Sequence, residues 1–204
     1  MIAVIDYGVG NLFSLCRSLE AIGQQPVVTG DPDMLRKADR LFLPGVGAFA
    51  DAADKLRKSG LDVVIKEEAA KGKPILGICL GMQLLFEESF EFGQWPGLGL
   101  VPGRVVPMEG VIPADLKIPH IGWNALRIQK DCPLFKYAKD GDHVYFVHSF
   151  YATDCQENLV ADTEYGAYLT AAVQNRNVFG TQFHPEKSGD VGLAILRAFC
   201  EVAP

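Results

Sequence analysis

Residues 74–83 read Pro-Ile-Leu-Gly-Ile-Cys-Leu-Gly-Met-Gln. The apolar run Pro74–Ile78 has the length and composition of a buried strand. From Leu80 the spacing turns helical, and a helix is expected over Leu80–Ser89. Between the two, Cys79 carries a glycine two residues away on either side, Gly77 and Gly81. This is the strand–elbow–helix arrangement of a nucleophile turn, with cysteine in the serine position. So sharp a reversal crowds its neighbours and strains the backbone at its apex, which is why small residues flank it. The turn lifts Sγ out of the carboxyl end of the strand. There the unpaired amides and dipole of the next helix favour thiolate over thiol. The plain alternative is a small buried cysteine under a glycine-rich turn.

The chain on either side of this elbow decides the fold class. Upstream, short apolar runs (Ile2–Asp6, Pro26–Thr29, Arg40–Leu43) alternate with helical patterns over Asn11–Ile22, Asp31–Ala38 and Ala53–Lys71, the last interrupted at Gly60. Asp31 is a natural N-cap. Alternation of this kind implies crossover connections and an α/β fold, with a mostly parallel sheet flanked by helices. Downstream, from Gly99 to Gln182, the chain breaks into short β-prone runs: Gly103–Met108, Ile121–Ile128, His143–Phe150, Tyr168–Val173 and Val178–Phe183. These predict an additional antiparallel region, with a tight turn at Asn175-Arg176-Asn177. A final helix is expected over Asp190–Val202. With no repeat, low-complexity tract or linker, residues 1–204 read as a single domain.

Composition excludes several classes. The net charge of −6 and the scatter of basic residues argue against nucleic acid as a partner. No apolar run approaches the roughly 20 residues of a membrane span, and the start lacks the form of a signal peptide. The five cysteines (Cys16, Cys79, Cys132, Cys155, Cys200) are odd in number and widely spaced. That pattern suits neither a disulfide framework nor a metal site, so no metal or cofactor is expected and a reducing, cytoplasmic compartment is.

A thiolate nucleophile needs a base. Of four histidines, His184 stands out in Gln182-Phe183-His184-Pro185-Glu186. Pro185 biases His184 towards extended backbone, where residues two apart point the same way. Glu186 then lies beside the ring, fixes its tautomer and leaves the other nitrogen for Cys79, which is the logic of a nucleophile–base–orienter triad. Pro44-Gly45-Val46-Gly47 ends another strand, and glycines there let backbone amides face a ligand. An oxyanion would be held by the amide of Leu80 and one near Val46 or Gly47. By contrast, Gly8-Val9-Gly10 fails as a dinucleotide fingerprint, because the third glycine position holds Phe13.

Six stretches, collinear over nearly the whole chain, resemble the class I (triad-type) glutamine amidotransferases. Three are general to that family: Pro44–Gly47, Gly77–Gln83 and Phe183–Lys187. Three more, Asp6–Asn11, Pro119–Asn124 and Tyr145–Ser149, resemble the glutaminase subunits of imidazole glycerol phosphate synthases. The resemblance implies a flavodoxin-like core, L-glutamine as substrate and a (β/α)8-barrel synthase subunit as heterodimer partner. It places Cys79, His184 and Glu186 in the catalytic triad. Gln83, Glu91 and Ser149 fall at glutamine-binding positions, with Phe150 where the family often has tyrosine. Asn11, Trp123 and Lys187 match positions at the subunit interface. Rival readings are a glutaminase serving another synthase, a cysteine hydrolase acting alone, and a non-catalytic subunit on the same scaffold.

Overall fold

The computed structural model describes residues 1–203. The first half alternates as β1 (Ile2–Ile5), α1 (Leu12–Ala21), β2 (Pro26–Thr29), α2 (Pro32–Lys37), β3 (Arg40–Gly45), α3 (Phe49–Ser59), α4 (Leu61–Ala70), β4 (Ile75–Cys79) and α5 (Leu80–Leu84). Asp31 caps α2, its carboxylate accepting from the Asp33 amide at 2.9 Å. The expected break at Gly60 is real. That glycine ends α3 and starts α4 in the left-handed region, at φ 72°.

The second half is β5 (Phe86–Ser89), β6 (Trp95–Pro96), β7 (Val101–Pro107), β8 (His120–Ala125), β9 (Arg127–Ile128), β10 (His143–His148), β11 (Phe150–Thr153), β12 (Leu159–Glu164), β13 (Tyr168–Asn175), β14 (Val178–Thr181) and α6 (Gly189–Cys200). The main sheet has the order β2-β1-β3-β4-β14-β13-β12-β9. Its first five strands are parallel and the rest antiparallel. A four-stranded sheet (β11-β7-β5-β6) and the β10–β8 pair complete the fold.

Both faces of the parallel part are covered, as βαβ crossovers require. Ala3, Ile5, Leu41, Leu43 and Ile75 pack with α2, α3 and α4. The alternate residues Ile2, Val4, Phe42, Leu76 and Ile78 pack with α1 and α6, where Phe42 and Phe179 both meet Phe199 edge-on. The period of two therefore persists within strands that are apolar throughout.

Three expectations need correction. The helix after Cys79 is five residues long and does not reach Ser89; Phe86–Ser89 is a strand. Its terminal carbonyls are taken over by a returning segment. Leu98 N donates to Leu84 O at 2.8 Å, and Leu100 N and Val101 N to Leu85 O at 2.8 and 3.0 Å. Gly97 allows that approach, since a Cβ there would lie 2.1 Å from Phe86 O. Tertiary pairing outweighs local helical spacing. So short a helix has little macrodipole to offer Cys79, against the expectation.

His143–Phe150 is likewise not one strand. β10 stops at His148, and Phe150 opens β11 in another sheet. Ile121–Ile128 divides into β8 and β9 at Leu126, which is fully buried and pairs with the Gly141–Asp142 turn.

Candidate active site

Strand register builds the site. β4 lies between β3 and β14, with Gly45 level with Cys79 and Thr181 level with Ile78. The loop after β3 and the segment after β14 therefore emerge on either side of Cys79, at the carboxyl edge where open α/β sheets bind ligands. Cys79 itself has φ 55° and ψ −112°, a strained conformation for a residue with a side chain.

The glycines around it are mutual spacers. A Cβ on Gly81 would stand 1.8 Å from Leu43 O, one on Gly77 2.6 Å from Gly81 O, and one on Gly45 2.7 Å from Gly81 N. Backbone meets backbone here, and only glycine fits.

His184 has the extended backbone that Pro185 dictates, at φ −96° and ψ 98°. Its amide donates to Tyr145 O at 3.0 Å, and its carbonyl accepts from Ser188 Oγ at 2.6 Å. Glu186 reaches the ring through a 3-10 turn over Pro185–Lys187, not through continued extension. His184 Nδ1–H donates to Glu186 Oε1 at 2.8 Å, with both side chains almost wholly buried. Nε2 is left for Cys79, which lines the same cavity. Burial opposes a charge on this imidazole. The interaction with Cys79 and the hydrogen bond and charge of Glu186 outweigh burial and push its pKa up to about 9.

One cavity of about 460 Å³ is lined by Val46, Gly47, Cys79, Leu80, Gln83, Glu91, Ser149, Phe150, His184 and Lys187, with Phe92, Val147 and His148. All the residues predicted for chemistry and glutamine binding but Glu186 open onto it, and Glu186 stands behind His184. Gly47 takes φ +93° in open space, a conformation that frees the loop from the strand direction. Glu91 holds the first turn of α3, its Oε2 accepting from Phe49 N at 2.8 Å. Burial raises the pKa of this carboxyl above its ordinary value.

Of the predicted interface residues, Lys187 lines the cavity and its ammonium lies 5.9 Å from the Tyr145 ring centre. Trp123 meets the same ring edge-on at 6.0 Å and is half exposed. Asn11 is outside the cavity and caps α1, accepting from Ser14 N at 3.4 Å.

The sequence reading left three site residues without a role. Tyr7 donates from its hydroxyl to Pro44 O at 2.7 Å and so anchors the loop before Val46; burial raises its pKa. His148 donates from Nδ1 to Phe150 O at 2.9 Å, and burial lowers its pKa to about 4, which keeps it neutral. Gln182, fully buried, points Nε2 at Cys79 Sγ from 3.8 Å. All three lie in motifs that mark the sequence, but only the folded geometry shows what their polar atoms reach.

The family model for class-I glutamine amidotransferases matches residues 3–202. The chain belongs to the class-I glutamine amidotransferase family. Within it, the chain is 48% identical over 203 residues to imidazole glycerol phosphate synthase subunit HisH of Oceanobacillus iheyensis, covering 99% of each. It is 52% identical over 202 residues to the subunit of the same name from Bacillus licheniformis, covering 98% of this chain and 95% of that one. A chain of PurLQS from Thermotoga maritima superposes with a TM-score of 0.77 at 23% identity, covering 98% of this chain and 96% of that one. That likeness concerns the fold.

Proposed function

We propose that this chain is the glutaminase subunit of an imidazole glycerol phosphate synthase, one glutamine amidotransferase unit over residues 1–204. The observation that carries the chemistry is a single cavity at the carboxyl edge of the parallel strands. It holds Cys79 and His184, with Glu186 on the far nitrogen of the imidazole. The near-50% identity to HisH subunits along the whole chain supports the choice of synthase over another ammonia-using partner.

With a pKa near 9, His184 holds its proton at neutral pH and faces Cys79 as an imidazolium. The thiolate attacks the side-chain amide carbon of L-glutamine. The resulting oxyanion is held by the amide of Leu80 and one from Val46 or Gly47, where losing one donor costs about 10²–10³ in rate. His184 Nε2–H protonates the amide nitrogen, the C–N bond breaks and ammonia leaves. Water then gives a proton to Nε2 and attacks the thioester, which releases glutamate and restores the thiolate. Glu91, Gln83 and Ser149 hold the substrate's polar groups, with the free carboxylate oxygen of Glu91 suited to its α-ammonium.

Ammonia passes to a (β/α)8-barrel subunit that forms imidazole glycerol phosphate and aminoimidazole carboxamide ribonucleotide in the cytoplasm. Exposed Phe13, Ile121 and Trp123, with Asn11 and Lys187, supply the docking face. Among the described residues no helix is long and apolar enough to cross a membrane.

The test is Cys79→Ala. The variant should lose glutamine-dependent synthesis while the complex still works with ammonium salts. Retained glutamine-dependent turnover would remove Cys79 from the mechanism. Equal glutaminase rates with and without the partner would point to a hydrolase acting alone.

A further inference from the structure

Gln182 has a fully buried polar side chain whose place is set twice over. Its backbone amide donates to Ala171 O at 2.8 Å, one residue beyond the pairing of Thr181 with Ile78, so the residue comes level with Cys79. Its side-chain amide is oriented by Gln83. Gln83 Nε2 donates to Phe150 O at 3.1 Å and to Gln182 Oε1 at 3.0 Å. The main-chain carbonyl of Phe150 can only accept, so Gln83 must present nitrogen to it and to Gln182. Gln182 must then present oxygen to Gln83 and nitrogen to the sulfur. Turning the Gln182 amide over would set two donors face to face at Gln83 and an acceptor against Sγ.

We propose that Gln182 is a third partner of the nucleophile, donating an N–H to the Cys79 thiolate, and that Gln83 is the positioning residue that keeps this donor turned towards sulfur. The assignment rests on the reading of Cys79 as nucleophile. The physical case is a difference between two states of sulfur. A thiol donates its own proton, and Val147 O, 4.0 Å away, is an acceptor for it. A thiolate only accepts, and accepts far more strongly than the weakly accepting thiol sulfur, so Gln182 Nε2 at 3.8 Å favours the charged state. A fixed donor next to a group that gains negative charge stabilises the charged form without reorganisation. It also steers Sγ, which the strained turn holds only through its backbone. Gln83 thereby has a second duty. Both of its N–H groups are spent inside the protein, and Oε1 is the atom it has left for substrate.

The experiment follows alkylation of the full chain by iodoacetamide from about pH 5 to about 10, since the thiolate is the reactive form. Modification is read on the Cys79 peptide by mass spectrometry, with the Cys16 peptide as internal reference. Titratable groups around the sulfur are His184, His148, Tyr7, Glu91 and Lys187, all unchanged in the variants. Gln182→Met keeps the length and removes the donor. Its Cys79 profile should move up by about one pH unit, the size expected for one hydrogen bond to a charged acceptor. Gln182→Glu keeps the bond from Gln83 and sets a carboxylate against sulfur, so its profile should move further. Two folded variants with the parent profile would overturn the proposal. Should either fail to fold, Cys79→Ala answers: there the Gln182 amide loses its acceptor, and its side-chain NMR resonances should shift from those of the parent. An unchanged signal would equally refute the assignment. Neither readout needs glutamine, so a chain that releases no ammonia from glutamine fails separately.

Discussion

Gly81→Ala tests how tightly the elbow is built. The added methyl would sit 1.8 Å from Leu43 O and 2.8 Å from Leu43 C. An ordinary carbon–oxygen contact is about 3.3–3.6 Å, so about 1.5 Å must be opened between β3 and α5. Both sides of the clash are backbone, and neither has a rotamer to escape into. Overpacking a core costs about 1–3 kcal/mol when side chains give way; with backbone on both sides the cost should reach at least about 3 kcal/mol. For a chain of this size that lowers the melting temperature by about 6–12 °C. The same opening moves Cys79 against the Val46–Gly47 loop, and a misplacement of about 1 Å already costs about 10²-fold in rate. Gly72→Ala is the control. Gly72 has φ +92°, and a methyl added there would meet nothing within 4 Å, so only the left-handed penalty of about 1–2 kcal/mol applies, with no loss of turnover. Thermal melts and ammonia release in the presence of the synthase partner measure both. A Gly81→Ala protein that melts no lower than Gly72→Ala and turns over glutamine at the parent rate would refute the packing argument.

Glu91→Gln removes the charge offered to the substrate's ammonium but keeps an oxygen for Phe49 N. KM for glutamine should rise by about 10-fold or more with little change in kcat, as for lost uniform binding; a fall in kcat alone would place Glu91 elsewhere in the reaction. His184 binds its proton more tightly folded (about 9) than at its ordinary 6.5. Its contribution to stability is complete below about pH 6.5 and is lost as pH rises through about 9, so melts of the parent should fall over that window and those of His184→Asn should fall less. His148 has the opposite sign: its pKa of about 4 means stability is lost as pH drops from 6.5 towards 4, and His148→Gln should blunt that acid limb. Arg40 closes the end of α6, its guanidinium donating to Phe199 O at 3.0 Å and Val202 O at 3.2 Å as well as to Cys200 O. Arg40→Ala should cost about 1.5–3 kcal/mol and about 3–12 °C, read by thermal melting, with kcat/KM unchanged.

Much of the fold was legible because its signals are local. Asp31 caps, Gly60 breaks, and apolar runs alternate with helical spacing, and each acts within a few residues of itself. The elbow was legible for the same reason where Gly77 meets Gly81 within one turn, whereas the need for Gly81 against Leu43 O comes from β3, distant in sequence. Pro185 likewise set the backbone of His184, and Glu186 was close enough in sequence to find its ring. The five-residue α5 was misread because its end is set by Gly97–Val101, a segment with no mark at positions 85–89. The division at Ser149 between two sheets was hidden in a run that reads as one strand.

What tertiary structure alone decided is which distant groups meet. Strand order puts β14 beside β4 and β3 on its other side, and from that follow the meeting of His184 with Cys79 and the approach of the Val46–Gly47 loop. The duties of Tyr7, His148 and Gln182 depend on the direction in which a single polar atom points, over separations of 37, 2 and 103 residues. A sequence states that such atoms exist. Their hydrogen bonds are made only because burial leaves each of them one partner, and burial belongs to the folded chain.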